Sequence, residues 1–401
     1  MRQDSVLPLV VTIAVQALVS LTSLAAPVMA PDAAATTGLA AGSVGIFVGV
    51  VYAAACLSSL CSGDLVNRYG PIRMSQVSLL LCAAGLAAAA TGQPAMILAA
   101  AVLIGLGYGP VTPASSHILV RTTPPHRMGL TFSLKQTGVP LGGMLAGLMV
   151  PALIHGLGWQ QTCLILAALC LGMAVLTQSI RALFDDDRDR ARALNPRRAL
   201  EPLGRLMRTP AMRDIGLCSF FFGAMQLCLT TFLVLYLTEV QHLTLAAAGS
   251  LLAIAQIAGV SGRLLWGWMA DRFVAPRLLL GLLGIAMGGA GITFAMAAPG
   301  WPVPVFAAIA LVFGASAIGW NGVFLAEVAR LAPAGQAGSM TGASLFLTYS
   351  GVVVGPPAFA AIVRHSGSYG TAYLATGALL AAIGAFLIAT RPRGGARAQP
   401  A

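Results

Sequence analysis

Long apolar stretches of about 20 residues recur along the chain, separated by short polar connections. A helix needs roughly 20 apolar residues to cross the hydrocarbon core of a bilayer, which is about 30 Å thick. Runs of this length without alternation predict transmembrane helices rather than barrel strands. We predict twelve spans, at about 8–30, 41–62, 74–91, 95–120, 129–153, 160–180, 213–238, 246–270, 277–297, 302–327, 339–364 and 370–390.

The spacing of these runs divides the chain into two halves. We predict a six-helix bundle over 1–180, a linker over 181–212, a second six-helix bundle over 213–390 and a tail over 391–401. The linker mixes both signs of charge, and Asn195-Pro196 resembles the start of an amphipathic helix lying on the membrane surface. The fold class that follows is an all-α membrane protein of two similar six-helix bundles.

Composition supports this interpretation. The 401 residues are 58% hydrophobic and only 9% charged, whereas a soluble domain is about 25% charged. The net charge of +11 is typical of nucleic-acid binding proteins as well, but here the arginines lie in short gaps between apolar runs, so we expect no nucleic-acid partner. The seven cysteines lie within apolar runs without metal-ligand spacing, and we predict no metal and no cofactor.

The arginines are concentrated in the even-numbered connections, the linker and the tails, and the odd-numbered connections hold only Arg364. Positively charged connections stay on the cytoplasmic side of a membrane. We therefore predict cytoplasmic termini and a location in a bacterial-type inner membrane. The face that holds the termini and the even-numbered connections is called the arginine-rich side below.

One motif occurs twice, 204 residues apart. The first copy, "GDLVNRYGPIR", follows span 2, and the second, "GWMADRFVAPR", follows span 8. Matched motifs in two six-helix halves are typical of transporters built from parallel repeats, whose substrate site lies between the repeats. The residues concerned are Gly63, Asp64, Asn67 and Arg68 in the first copy and Gly267, Asp271 and Arg272 in the second.

These features together resemble the major facilitator superfamily, whose signature between spans 2 and 3 is roughly Gly-x-Leu-Ala-Asp-Arg-x-Gly-x-Arg-Arg. The resemblance implies that the seven signature residues form a conformational latch, in which a carboxylate caps a neighbouring helix and pairs with a basic residue. Asn67 stands where the family has Asp, and asparagine can cap a helix but cannot form an ion pair. Either Asp64 replaces it, or Asp271 provides most of the latch.

Two basic residues lie inside the spans, where a charge is costly and therefore predicts function. Lys135 in span 5 is the only lysine of the chain, and Arg263 lies in span 8. No acidic residue lies deep in a predicted span, so the two cations lack a fixed counter-ion. An anionic substrate would relieve their repulsion, with Arg263 binding a carboxylate through two hydrogen bonds. As alternatives, Arg263 could reach the rim of the membrane and Lys135 could bind backbone carbonyls.

Three polar residues on other spans are candidates to complete this site. They are Gln16 in span 1, Tyr108 in span 4 and Asn321 in span 10. The pattern around Arg263 resembles that of monocarboxylate and oxalate carriers, and "KQTGVPLGG" resembles that of cyanate and nitroimidazole carriers. His117, at the inner end of span 4, is a candidate proton carrier, although a structural histidine at the rim is the simpler interpretation.

We therefore predict a secondary transporter for a small organic anion, such as a monocarboxylate, acting as a monomer by alternating access. Uniport, anion exchange and symport with a coupling proton all remain open. The alternatives are an exporter of drugs and other xenobiotics, which would need a buried acid for cationic compounds, and a non-transporting receptor on the same scaffold. The chain has no ATP-binding GxxxxGK[ST] motif and no catalytic cluster, so we expect neither a primary pump nor an enzyme.

Overall fold

The computed structural model describes residues 6–38, 44–189, 191, 200–298 and 300–390. Within this part of the chain, twelve helical segments are long and apolar enough to span a membrane. They are Leu7–Thr37, Val44–Tyr69, Pro71–Ala89, Pro94–Thr122, Pro125–Leu157, Trp159–Phe184, Pro210–Glu239, Ala247–Arg272, Pro276–Ala295, Val303–Leu331, Ala337–Ser366 and Tyr369–Ala389. We number them spans 1 to 12.

Three of the twelve spans are not uniform α-helices. Span 5 consists of a 3-10 turn at Pro125–Arg127 and two α-helices, Met128–Gln136 and Gly138–Leu157. Span 10 is interrupted between Val303–Ala317 and Asn321–Leu331. Span 6 ends in a 3-10 turn and a short helical turn.

The helix of span 8 begins two residues before the membrane segment, at Leu245, and a separate short helix, Glu201–Arg208, precedes span 7. The start of the predicted linker helix, at Asn195-Pro196, lies outside the described residues, as does the tail from 391 onwards. The sequence pattern alone predicted spans 5 and 10 as continuous helices, and both are interrupted close to the candidate site.

Small residues allow the helices to pack closely. In the second half, spans 9 and 12 meet through glycines, and a Cβ on Gly284 would lie 3.0 Å from the Cα of Gly384. The two halves also meet through glycines on the arginine-rich side, where Gly267 of span 8 lies against the Gly129 carbonyl of span 5. Small residues at helix interfaces let backbones approach within van der Waals contact, which drives helix association in lipid.

The repeated motif lies mostly within helices, and not in the connections after predicted spans 2 and 8 where the sequence pattern placed it. Span 2 continues to Tyr69, and the chain reverses at Gly70, whose φ of 94° is accessible mainly to glycine. Span 8 continues to Arg272 in the same way. An arginine in the last turn of each helix, Arg68 and Arg272, interacts favourably with the negative end of the helix dipole, which favours helix at these positions.

Candidate functional site

Lys135 lies in the last turn of the first helix of span 5, and its side chain is only 1% exposed. Its ammonium group donates three hydrogen bonds, to Gln16 Oε1 at 2.8 Å, Thr112 Oγ1 at 2.9 Å and Gln136 Oε1 at 3.0 Å. A lysine has three donors, so all of them are satisfied. All four residues belong to the first half of the molecule.

Arg263 lies on span 8 of the second half and is 2% exposed. Its Nε donates to the carbonyl of Ile318 at 3.0 Å, and its Nη1 donates to the carbonyl of Gln136 in the first half. An arginine has five N–H donors, so the remaining three make no hydrogen bond to a described residue. The guanidinium group thus joins the two halves and retains donors for a further partner.

Both carbonyls are available because a helix is interrupted beside them. In a continuous helix, the Gln136 carbonyl would accept from the N–H four residues later, but that residue is Pro140, which has none. Ile318 lies in the interruption of span 10, between Ala317 and Asn321. Interrupted helices at membrane depth are typical of transporter binding sites, because the freed backbone groups face bound ligands or charged side chains.

Gln136 connects the two cations, since its side chain binds Lys135 and its backbone binds Arg263. The partners of both cations are neutral oxygens. Among the described residues, no Asp or Glu forms an ion pair with either one. Within the described part of the chain, two basic groups are therefore buried close to each other without an acidic partner, an arrangement that favours an anion.

The remaining predicted residues lie around this pair. Asn321 donates to the Ile318 carbonyl at 3.3 Å and to Gln226 Oε1 at 3.0 Å. Because the same carbonyl accepts from Arg263, Asn321 is connected to the cation through a shared acceptor. Trp320 donates to Gln226 Oε1 as well, at 3.2 Å. The interruption of span 10 thus contributes one acceptor and two polar side chains to the site.

Tyr108 packs in a cluster of three tyrosines. Its ring lies 5.9 Å from Tyr52 and 6.0 Å from Tyr349, which belongs to the second half. Tyr108 is also close enough to Arg263 for an electrostatic interaction. Tyr52 precedes Gly63 by eleven residues, roughly 16 Å of helix, so the cluster lies on the far side of Lys135 from the repeated motif.

All five residues predicted for substrate binding therefore lie in one region that includes both halves. Thr112, Gln136 and the Ile318 carbonyl also belong to this region, and none of them was among the predicted residues. The spacing of Gln136 and Pro140 was a usable signal, because a proline in a helix frees the carbonyl four residues before it. No comparable signal in the sequence identifies Thr112 or Ile318.

The second copy of the motif contacts the first half directly. The Asp271 carboxylate accepts hydrogen bonds from the backbone N–H groups of Gly129 and Leu130, at 2.8 and 2.7 Å. These groups lie in the first turn of the Met128–Gln136 helix, where an anion is stabilised by unpaired N–H groups and by the helix dipole. Asp271 also accepts from Arg330 at 2.8 Å. Arg272 follows Asp271 in the last turn of the span 8 helix.

The first copy is arranged differently. Gly63 lies against Ser339 of span 11, while Arg68 lies over the ring of Tyr69, 5.5 Å from its centroid. The backbone carbonyl of Asn67 accepts from the N–H of Asp189, in the segment after span 6. Asp64 lies within the last two turns of span 2 and interacts with another group of the protein.

Asp185, in the same segment after span 6, caps span 3. Its carboxylate accepts from the N–H groups of Ile72 at 2.8 Å and Arg73 at 3.1 Å. Burial raises the pKa of Asp185, although these hydrogen bonds and Arg181 act in the opposite direction. A carboxylate from the linker thus caps a helix beside the first copy, whereas in the second copy Asp271 caps a helix of the opposite half.

His117 lies at the rim on the arginine-rich side. Its Nε2 is 2.7 Å from Asp187 Oδ2, and Arg121 pairs with Asp187 at 2.9 Å. Burial raises the pKa of the Asp187 carboxyl, but the hydrogen bond and charge of His117 and the charge of Arg121 outweigh burial, so the pKa lies below its ordinary value. This contact fastens the segment after span 6 to span 4.

The family model described as Major Facilitator Superfamily matches residues 11–356. The chain belongs to this superfamily. It is therefore a multi-pass membrane transporter, not an enzyme, as the resemblance of the sequence predicted.

Three curated relatives of this superfamily member are named for anionic substrates. The chain is 25% identical to a probable sulfoacetate transporter of Cupriavidus necator, over 89% of this chain and 86% of that one. It is 26% identical to a probable nitrate/nitrite transporter of Mycobacterium tuberculosis, over 76% of this chain and 75% of that one. A 4-hydroxybenzoate transporter of Pseudomonas aeruginosa is 25% identical over 65% of this chain and 64% of its own length.

Solved structures of the superfamily share the fold. The human organic anion transporter MFSD10 aligns with a TM-score of 0.75 at 17% identity, over 95% of this chain and 99% of that one. The fucose:proton symporter FucP of E. coli aligns with a TM-score of 0.74 at 16% identity, over 97% of this chain and 99% of that one. Likeness at this level of identity establishes the architecture of twelve spans in two bundles.

Proposed function

We propose that this transporter carries a small organic anion, such as a monocarboxylate, and that the anion binds between Arg263 and Lys135. The observation that carries the proposal is the pair of buried cations without a described carboxylate partner. The anionic substrates named for the three curated relatives support it. A buried acid, which a transporter of cationic drugs would need, is absent from the described surroundings of both residues.

We propose different roles for the two cations on the basis of their hydrogen bonds. Arg263 has donors to spare and binds the anion directly, because a guanidinium group presents paired N–H groups in the geometry of a carboxylate. Lys135 has no spare donor, so it acts through its charge or releases one of its three acceptors. Gln16 holds Lys135, Asn321 holds the carbonyl that orients Arg263, and Tyr108 forms an aromatic wall.

Transport of labelled carboxylates into proteoliposomes tests this proposal. We expect uptake by the wild type, saturation at a finite concentration, and competition by other small carboxylates but not by amines. Arg364→Gln, which removes an exposed arginine far from the site, serves as the control for Arg263→Gln and Lys135→Met. Transport of amines alone, or normal anion uptake by both site variants, would overturn the proposal.

We also propose that the two halves rock about this site, with the signature residues as the latch on the arginine-rich side. Asp271 carries the latch, because its carboxylate caps a helix of the opposite half. The distribution of arginines supports placing this side in the cytoplasm of a bacterial-type cell. The coupling mode stays open between uniport, exchange and proton symport, and we expect a monomer.

Asp271→Asn tests the latch while leaving one of the two capping oxygens in place. The variant loses the ion pair with Arg330, so we expect the arginine-rich side to open more often. A cysteine introduced at Ser133, beside Gly267, should then react faster with a thiol reagent, in a background lacking the native cysteines. The matched variant Asp64→Asn should have a smaller effect, and equal rates in all three proteins would contradict this assignment.

A further inference from the structure

A second basic site lies outside the transport pathway, on the arginine-rich side of the first half. A pocket of about 620 Å³ opens between the end of span 2, the start of span 3, the end of span 6 and the segment that follows it. One part of its wall is apolar and consists of Leu65, Met74 and Val77. The other part is basic and consists of Arg68, Arg73, Arg181 and Arg188.

The four arginines are brought together mainly by hydrogen bonds of backbone groups. Asp185 caps the start of span 3, and the N–H of Asp189 donates to the Asn67 carbonyl at 2.8 Å. These bonds fasten the segment after span 6 to the connection between spans 2 and 3. Arg181 and Arg188 are thereby brought to the same pocket as the arginines of the repeated motif.

The positive charge of this pocket is only partly compensated. Arg181 pairs with Asp185 at 3.3 Å. Arg73 donates to Gln76 Oε1 at 3.0 Å, and neither Arg73 nor Arg188 forms an ion pair within the described ranges of the chain. Like charges converging at a partly desolvated site repel one another unless an anion joins them.

The surroundings of the pocket indicate what kind of anion it accepts. Leu80 follows Val77 by about one turn of span 3 and is 48% exposed, and Val175 and Leu176 precede Arg181 on span 6 and are 74% and 70% exposed. Exposed apolar residues on a membrane span face lipid chains. A ligand that fits both surfaces has an anionic group for the arginines and an apolar part that continues into the bilayer.

We propose that this pocket binds the phosphate of an anionic phospholipid headgroup, with the acyl chains lying along the apolar wall. Guanidinium groups bind phosphate through paired hydrogen bonds, and basic pockets at the cytoplasmic ends of membrane helices suit such headgroups. The bound lipid joins span 2, span 3 and the segment after span 6. It therefore stabilises the attachment of the linker to the first half, independently of the transported anion.

Lipid binding to the purified full chain tests the proposal. Native mass spectrometry with phosphatidylglycerol and phosphatidylcholine of equal chain length measures the preference. We expect wild-type protein to retain phosphatidylglycerol at least about tenfold better, and Arg73→Gln/Arg188→Gln to lose that preference. The control Arg208→Gln/Arg364→Gln removes the same charge from exposed positions elsewhere and should keep it. Equal loss in both double variants, or retention in the first, overturns the proposal.

A separate arm distinguishes a lipid from a soluble phosphate. Inorganic phosphate and glycerol phosphate, added at millimolar concentration without lipid, should leave the melting temperature unchanged. A rise in the melting temperature with either phosphate, absent in Arg73→Gln/Arg188→Gln, would identify a soluble phosphate as the occupant and refute the proposal of a bound lipid. If the double variant fails to fold, the single variant Arg188→Gln, in a connecting segment, must still weaken the preference severalfold for the proposal to stand.

Discussion

Lys135 and Arg263 carry the same charge at neighbouring positions, yet their surroundings differ. Lys135 binds three side-chain oxygens, all within the first half, and has no donor left. Arg263 binds two backbone carbonyls, one in each half, and keeps three donors. One basic side chain is thus held entirely within its own bundle, whereas the other connects the two bundles and, under the proposed function, would couple anion binding to their relative position.

The largest effect should follow from Arg263→Gln. Loss of two charge-assisted hydrogen bonds, each contributing about 1.5–3 kcal/mol, predicts a fall of roughly 100-fold or more in kcat/KM for anion uptake. Arg263→Lys keeps the charge but loses the paired geometry, so its kcat/KM should lie between the values of the wild type and Arg263→Gln. An Arg263→Gln variant within about threefold of wild type would show that the guanidinium group does not bind the anion.

Lys135→Met should have a smaller effect, about tenfold in kcat/KM. The variant removes a charge near the anion but no donor that was free to bind it, and KM should change more than kcat. Gln16 and Thr112 lose a donor partner, so the melting temperature is measured alongside transport. If Lys135→Met proves more damaging to transport than Arg263→Gln at equal stability, the assigned roles are reversed.

A change in the backbone should perturb Arg263 without touching either cation. Pro140→Ala supplies an N–H to the Gln136 carbonyl, which then has a partner within its own helix. Competition for this carbonyl should loosen Arg263 and change KM about threefold, while the bonds of Lys135 stay intact. Pro151→Ala, in the same helix but away from the site, is the control and should leave KM unchanged.

The smallest effect concerns the contact of Asp187 with His117 and Arg121, which attaches the segment after span 6 to the first half, where Lys135 also lies. The folded pKa of Asp187 lies below its ordinary value, so its contribution to stability is present above that value and is lost as the pH falls through the folded pKa. Asp187→Asn should lower the melting temperature by about 1–3 °C at pH 7, and by less near pH 3.5. A difference that is independent of pH would exclude a charged contact with His117. The more exposed Asp186→Asn serves as the control.

The sequence predicted the fold far better than the details of the site. Apolar runs and arginine-rich connections identify twelve spans because the bilayer sets the length of each run. Lys135 and Arg263 were found because a charge at membrane depth is rare. Gln136 was missed because its acceptors matter only once Pro140 frees the carbonyl and the two halves come together. The Ile318 carbonyl has no side-chain signature at all, since only the interruption of span 10 makes it available.

The close contact of Gly267 with span 5 offers a way to trap the transporter in a single conformation. A methyl group at this position would lie 2.7 Å from the Gly129 carbonyl, a distance at which the backbone must move. Gly267→Ala should therefore act as a wedge that keeps the arginine-rich side from closing, while leaving both cations in place. Such a variant would hold the molecule with its arginine-rich side open, whereas in the structure this side is closed by the contact between spans 5 and 8. A binding protein selected against the variant would recognise the open conformation alone.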